Sequence, residues 1–143
     1  MTREQRVVDT ARRIQIIFGN DPAYTTCGLT YLAFEYLSPR KIELLMDENL
    51  IDLDECQNDS PTVEEFYNFI SLPLWHGDMC CNGYVIGDPE REDCRVSLTG
   101  LYFDPSFNLE GKVTFEQVVV FLDFARRADE FEVSEKHLYC WWD

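Results

Sequence analysis

Apolar residues near the start of the chain recur at the spacing of one helix face. They follow one another at steps of four, three and four: Val7, Ala11, Ile14 and Phe18. Thr2 and Gln5 form a capping box before this stripe, and Gly19 follows it. The pattern therefore predicts a first helix that begins after Thr2 and ends at Gly19.

Three further helices are predicted before residue 72. The second rests on another apolar stripe at helical spacing: Leu29, Leu32, Ala33, Tyr36 and Leu37. The third begins where Ser38 can cap and Pro39 can open a helix, and it runs to about Leu50. The fourth spans residues 62–71, because Thr62 and Glu65 supply another capping box before an apolar face.

The second half of the chain favours strands. Residues 84–87 and 94–103 are β-branched and aromatic runs on either side of the turn-forming stretch DPERED, which predicts a hairpin. Thr114 and Gln117 then open one more helix, and the final residues from 131 alternate around a central turn. The prediction is a single α+β domain, residues 1–143, with N-terminal helices followed by a small antiparallel sheet that carries one further long helix.

The composition is that of a globular chain with a large excess of acid. Hydrophobic residues make up 45% of it and aromatic residues 14%, which is too rich for intrinsic disorder despite a net charge of −15. The polar start and the short apolar runs predict neither a signal peptide nor a membrane span. We therefore expect an intracellular, cytoplasmic protein whose six cysteines are reduced.

The acidic side chains are concentrated in the middle of the chain. Residues 1–41 hold six basic and four acidic side chains, whereas residues 42–90 hold twelve acidic side chains and no basic one. Such a stretch cannot neutralise itself by local ion pairs. It repels nucleic acid and anionic membranes and attracts basic protein surfaces, so no direct binding to nucleic acid or membrane is expected.

We therefore predict a non-enzymatic acidic binding or inhibitor protein, which docks on the basic, nucleic-acid-binding site of a partner protein. Its docking surface is residues 43–65, here called the acidic segment, with these partner-binding residues: Asp47, Glu48, Asp52, Asp54, Glu55, Asp59, Glu64 and Glu65. Tyr67 or Trp75 is expected to add hot-spot energy if exposed. Phage anti-defence inhibitors and toxin-immunity proteins share this small acidic character. The alternative for any one of these carboxylates is a role in solubility alone.

A second hypothesis is a thiol enzyme. Cys27 precedes the predicted second helix, whose dipole would favour a thiolate. With His76 as general base and Asp88 as its orienting group, the order looks like that of papain-like hydrolases and transferases. No glutamine lies a few residues before Cys27 to donate an oxyanion hydrogen bond.

A third hypothesis is a zinc-stabilised interaction module. The possible ligands are cysteines and histidines: His76, Cys80, Cys81, Cys94, His137 and Cys140. No CxxC pair occurs, and adjacent residues on an extended chain point to opposite faces. Residues 52–63 and 106–117 both depart from the calcium-loop pattern at required positions. No metal or cofactor is therefore predicted.

Overall fold

The computed structural model describes residues 2–19, 25–26, 31–88, 93–105 and 111–143. These residues form four α-helices and a six-stranded antiparallel sheet, which confirms the α+β class. The helices are α1 (Arg3–Phe18), α2 (Pro39–Asp47), α3 (Val63–Ile70) and α4 (Phe115–Ala125). The strands are β1 (Thr25–Thr26), β2 (Tyr31–Leu37), β3 (Met79–Asp88), β4 (Asp93–Phe103), β5 (Glu130–Val133) and β6 (Leu138–Trp141). Among the described helices, none has the length and apolar character needed to cross a membrane.

Four of the predicted helices begin where their local signals place them. Thr2, Thr62 and Thr114 each complete a capping box, in which the threonine hydroxyl accepts a backbone N–H at 3.2 Å. Ser38 caps α2, and Pro39 occupies its first turn. Each box satisfies two of the N–H groups that a helix start leaves open, so short-range sequence is enough to fix these starts.

The predicted second helix is wrong, because its residues form strand β2. A bulge lies between Phe34 and Leu37, where the register with β3 shifts. Both side chains are buried in the core, so the bulge places two core residues three positions apart. This spacing imitates a helix stripe. Leu29, the first residue of the predicted stripe, lies outside the described residues.

The strand order is β1-β2-β3-β4-β6-β5, with every neighbouring pair antiparallel. The predicted hairpin is the long β3–β4 pair at the centre of the sheet. The second predicted hairpin is the β5–β6 pair, and it is β6 that joins β4. Of the described strands, β5 is therefore the outermost at this end.

The apolar residues of all four described helices pack on one side of the sheet, here called the core face. The strand residues in this core are Phe34, Leu37, Met79, Cys81, Val85, Val96, Leu98, Leu101, Phe103, Leu138 and Cys140. The intervening strand residues lie on the opposite side, here called the open face. No described helix covers the open face.

Candidate protein-binding surface

The acidic segment runs from α2 through a folded-back loop to α3. The backbone N–H of Glu64 donates to the carbonyl of Leu53 at 3.0 Å. The Asp52 carboxylate accepts the N–H of Asp54 at 2.9 Å. Together with the bond from the N–H of Val63 to the carbonyl of Glu55 at 2.9 Å, the Glu64–Leu53 bond holds the start of α3 against the loop at residues 53–55.

Most carboxylates of the segment face solvent. Six of the eight predicted partner-binding residues are exposed and form no ion pair with a described residue: Asp47, Asp52, Asp54, Asp59, Glu64 and Glu65. Glu65 also accepts the backbone N–H of Thr62 at 3.1 Å. The segment therefore presents uncompensated negative charge on its surface.

Two of the predicted residues are paired with arginines from outside the segment. Glu48 lies 3.1 Å from Arg13, and both side chains are about half exposed, so water screens this pair. Glu55 lies 3.3 Å from Arg95, and its side chain is only 20% exposed. Glu55 therefore anchors the loop to β4 rather than facing outward like its neighbours.

The expected aromatic hot spot is not where the sequence indicated. Trp75 is fully buried, and its ring centroid lies 5.0 Å from that of Phe103. Tyr67 donates its hydroxyl to Glu43 at 2.8 Å, a hydrogen bond that raises the pKa of Tyr67 and ties α3 to α2. Trp75 belongs to the core, and Tyr67 is used within the fold.

A group of accessible aromatic residues lies instead on the open face. They come from four different strands: Tyr36, Tyr84, Tyr102, Tyr139 and Trp141. Tyr102 and Tyr139 are directly opposite each other on β4 and β6. Tyrosine and tryptophan are the residues that most often dominate the energy of protein interfaces. In the sequence, this face is indicated by the alternation of Tyr139 and Trp141 with Leu138 and Cys140.

Tyr36 is held in a backbone conformation that tyrosine rarely adopts, with φ of 61°. Its N–H donates to the side-chain oxygen of Asn82 at 3.1 Å, next to the β2 bulge. The left-handed conformation costs about 1 kcal/mol for such a residue. Asn82 offsets this cost, and the Tyr36 ring then lies 5.1 Å from the ring of Tyr102.

A hollow of about 280 Å³ lies between these rings on the open face. Its lining combines tyrosines with two carboxylates: Glu35, Tyr36, Asn82, Tyr102, Glu132, His137 and Tyr139. Burial, with added repulsion from the Asp104 charge, raises the pKa of Tyr102, so its hydroxyl stays neutral. Aromatic rings beside carboxylates form an environment suited to a cationic side chain.

The acidic segment and the open face meet at one end of the sheet. Gln57 of the segment lines a second hollow, of about 140 Å³, together with Tyr84 and Trp141. Asn58 donates its side-chain N–H to the carbonyl of Asp143 at 3.0 Å. A partner could therefore contact the carboxylates and the aromatic rings at the same time.

The residues of the hypothetical thiol centre are not assembled by the described structure. Cys27 lies outside the described residues, and strand β2 replaces the helix whose dipole was expected to act on it. His76 is exposed at the end of a short 3-10 turn, in a left-handed conformation with φ of 54°. Asp88 ends β3, and its side chain lies outside the description.

The metal-ligand candidates are also dispersed. Within the described residues, no three His, Cys, Asp or Glu side chains are grouped to hold a metal. Cys81 and Cys140 are buried; burial raises the pKa of Cys140 to about 12 and that of Cys81 well above its usual range. His137 contacts Ser134 and Glu132, and the Cys94 side chain lies outside the description. The two buried thiols are therefore protonated core residues at neutral pH.

No protein-family model matches the chain, and comparisons with curated proteins and with solved structures also give no match.

Proposed function

We propose that the protein is a non-enzymatic binding protein whose anionic surface docks on a basic site of a partner protein. The observation that carries this proposal is the set of six exposed carboxylates in the acidic segment that have no ion pair with a described residue. The carboxylates of such a surface repel one another, and lysine or arginine side chains of a partner would relieve this repulsion. Complementary charge accelerates the encounter and selects against acidic partners.

Charge alone does not account for stable binding, because exposed ion pairs contribute little once they form. Stable binding also requires close contact with buried area, and the open face supplies it. Tyr36, Tyr102 and Tyr139 offer aromatic area next to Glu35 and Glu132, where a partner's arginine can stack and pair at the same time. Long-range attraction from the acidic segment and short-range contact with the open face thus have separate roles.

A nucleic-acid-binding protein is the partner class that best complements this surface. Such proteins carry a basic groove that is already organised to contact a polyanion. Docking there would exclude the nucleic acid, so binding would also be inhibition. In this proposal the protein acts as an electrostatic antagonist, in the manner of anti-defence or toxin-immunity proteins.

The test compares two variants of equal net charge. One neutralises the acidic segment with Asp52→Asn, Asp54→Asn and Glu64→Gln. The control neutralises three exposed carboxylates elsewhere with Asp9→Asn, Glu116→Gln and Glu135→Gln. A partner captured by the native protein from a host lysate is purified, and its association rate with each variant is measured over a range of salt concentrations.

We expect the acidic-segment variant to associate about tenfold more slowly, with a flatter dependence on salt. The control variant should stay within about twofold of the native protein. We also expect the native protein to displace labelled double-stranded DNA from the partner. Equal association rates for the two variants would refute the docking surface, and failure to displace DNA would refute the partner class.

A further inference from the structure

Exposed apolar side chains are concentrated on α4 and β5. Five of the nine large exposed apolar side chains described lie there: Phe115, Val119, Leu122, Phe131 and Val133. Phe115 is 84% exposed and Phe131 is 56% exposed. The three on α4 recur at steps of four and three, on the side of the helix about 100° around its axis from the buried Phe121 and Ala125. A grouped apolar surface of this kind marks an interaction site more often than scattered single residues do.

The structure ties α4 to β5 at both ends. The N–H of Val113, just before α4, donates to the carbonyl of Glu135, just after β5, at 2.8 Å. At the other end only residues 126–129 connect the helix to the strand. A helix of this length spans about 16 Å, and the strand with its flanks spans about 20 Å. The helix therefore runs along the strand.

The side chains of β5 divide between the two faces of the sheet. Phe131 and Val133 are opposite the core-face residues of β6, so they point to the side on which α4 lies. Glu130 and Glu132 are opposite the open-face residues of β6. Strand β5 is therefore apolar on the core face, where α4 lies, and acidic on the open face.

The outer edge of β5 presents backbone groups that the sheet does not use. Ser134 donates its N–H to the carbonyl of His137 at 3.0 Å, and the N–H of His137 returns to the Ser134 hydroxyl at 3.1 Å, so the backbone groups of these two residues face each other. Because such pairs alternate along antiparallel strands, Glu132 and Glu130 are the next residues bonded to β6. The peptide groups of Phe131 and Val133 consequently point outward, and no described strand lies beyond them.

We propose that β5 is a docking edge for an extended segment of another protein, which adds to the sheet as one more strand. The segment alternates basic and apolar residues. Its basic side chains lie beside Glu130 and Glu132, and its apolar side chains lie beside Phe131, Val133 and the exposed stripe of α4. Backbone hydrogen bonds to the outward peptide groups supply affinity, and the alternation supplies specificity.

A second copy of this chain fits the edge less well. If two β5 strands paired antiparallel with Phe131 opposite itself, Glu130 of each copy would be opposite Glu132 of the other. With Phe131 opposite Val133, Glu132 would be opposite Glu132. Like charges directly across a strand pair are destabilising, and each copy carries a net charge of −15. The charge pattern therefore selects a basic partner strand over self-association.

The first test uses synthetic peptides and the full-length protein. A dye-labelled, blocked peptide Lys-Val-Lys-Phe-Lys-Val is titrated with the protein and followed by fluorescence anisotropy. The control peptide has the same composition in two blocks, Lys-Lys-Lys-Val-Phe-Val. We expect the alternating peptide to bind at least about tenfold more tightly. Equal affinities would mean that the peptides only adhere to negative charge, and would overturn the proposal.

The second test places one change on the outer edge of β5. Val133→Pro removes an N–H that points away from β6 and blocks an approaching strand, while the bonds to β6 remain. Val133→Thr keeps the N–H and serves as its control. We expect the proline variant to bind the alternating peptide about tenfold more weakly and the threonine variant to bind it almost normally. Equal binding by the two would overturn strand addition.

The third test separates the apolar contact from general hydrophobicity. Phe131→Ser should weaken binding of the alternating peptide about tenfold, whereas Ile16→Ser, which removes an exposed apolar residue of α1, should not. If Val133→Pro fails to fold by circular dichroism, a peptide N-methylated at the amides that face β5 probes the same bonds with unaltered protein. Undiminished binding of that peptide would overturn the proposal. These measurements leave the acidic segment unaltered, and the two proposals share only Glu132, so failure of strand addition would leave the acidic docking surface standing.

Discussion

The two faces of the sheet are made from adjacent residues and yet have different physical roles. On β4, Leu101 is fully buried under the helices, whereas the next residue, Tyr102, is partly exposed on the open face. The core face is mainly aliphatic and covered; the open face is aromatic, bordered by carboxylates and uncovered by any described helix. This difference shows that strand alternation separates stability from recognition at the level of single residues. Substitutions of the partly exposed rings on the open face, such as Tyr36, Tyr102 and Tyr139, should therefore change binding at little cost in stability.

The largest expected contrast is in the reactivity of two adjacent cysteines. Cys80 lies on the open face and Cys81 on the core face, where burial raises the pKa of its thiol. We expect alkylation of Cys81 at neutral pH to be slower than that of Cys80 by on the order of a thousandfold, because it requires opening of the core. Time-resolved mass spectrometry measures both rates, with the exposed Cys56 as reference. Similar rates for Cys80 and Cys81 would show that the core face is not closed.

The next contrast is in the free energy of unfolding. Leu101→Ala should lower it by about 2–5 kcal/mol, because the change leaves a cavity beneath the helices. Tyr102→Ala should lower it by about 1 kcal/mol, because the ring is already partly in water. Urea denaturation followed by circular dichroism measures both. Comparable losses would contradict the separation of the two faces.

A smaller effect is expected at Gly83, where β2, β3 and β4 come close together. A β-carbon there would collide with the backbone carbonyl of Ser97 and lie 3.0 Å from the Phe34 ring. We expect Gly83→Ala to lower the free energy of unfolding by about 1–3 kcal/mol, because the backbone has to shift. Urea denaturation again provides the measurement. An unchanged free energy of unfolding would show that the backbone at the bulge beside Gly83 shifts at little cost.

The smallest effect is expected at the Asn82 side chain. Asn82→Ala removes the acceptor that holds the Tyr36 backbone, and should lower the free energy of unfolding by about 1 kcal/mol. In a Tyr36→Gly background the same change should cost more, because strained Tyr36 regains free energy by leaving this conformation whereas glycine does not. A double-mutant cycle measures the coupling. Strictly additive effects would refute the role given to Asn82.

The part of the fold that could be predicted depends on short-range signals. The capping boxes at Thr2, Thr62 and Thr114 involve residues three apart, so a few neighbouring residues determine where each helix begins. The β2 strand could not be recognised because its bulge makes Phe34 and Leu37 resemble a helix stripe. Whether the odd or the even residues of a strand face the core depends on which side of the sheet the helices cover. That packing involves residues far apart in the chain, so a local pattern does not reveal it.

The candidate binding surface was predictable only in its charge. The absence of lysine and arginine from residues 42–90 is plain in the sequence. The burial of Trp75 is not visible in the sequence, because it depends on ring contacts with Phe69 on α3 and Phe103 on β4. The pairing of Glu55 with Arg95 is equally non-local, as it joins residues 40 positions apart.

The strand order has a kinetic consequence for the molecule as it is synthesised. Strands β1 to β4 pair in sequence, so they can form a meander once residue 103 has emerged from the ribosome. The neighbour of β4 on the other side is β6, which ends at Trp141. A nascent chain therefore carries an open β4 edge until the final hairpin emerges, and during that interval it is most exposed to aggregation or chaperone capture.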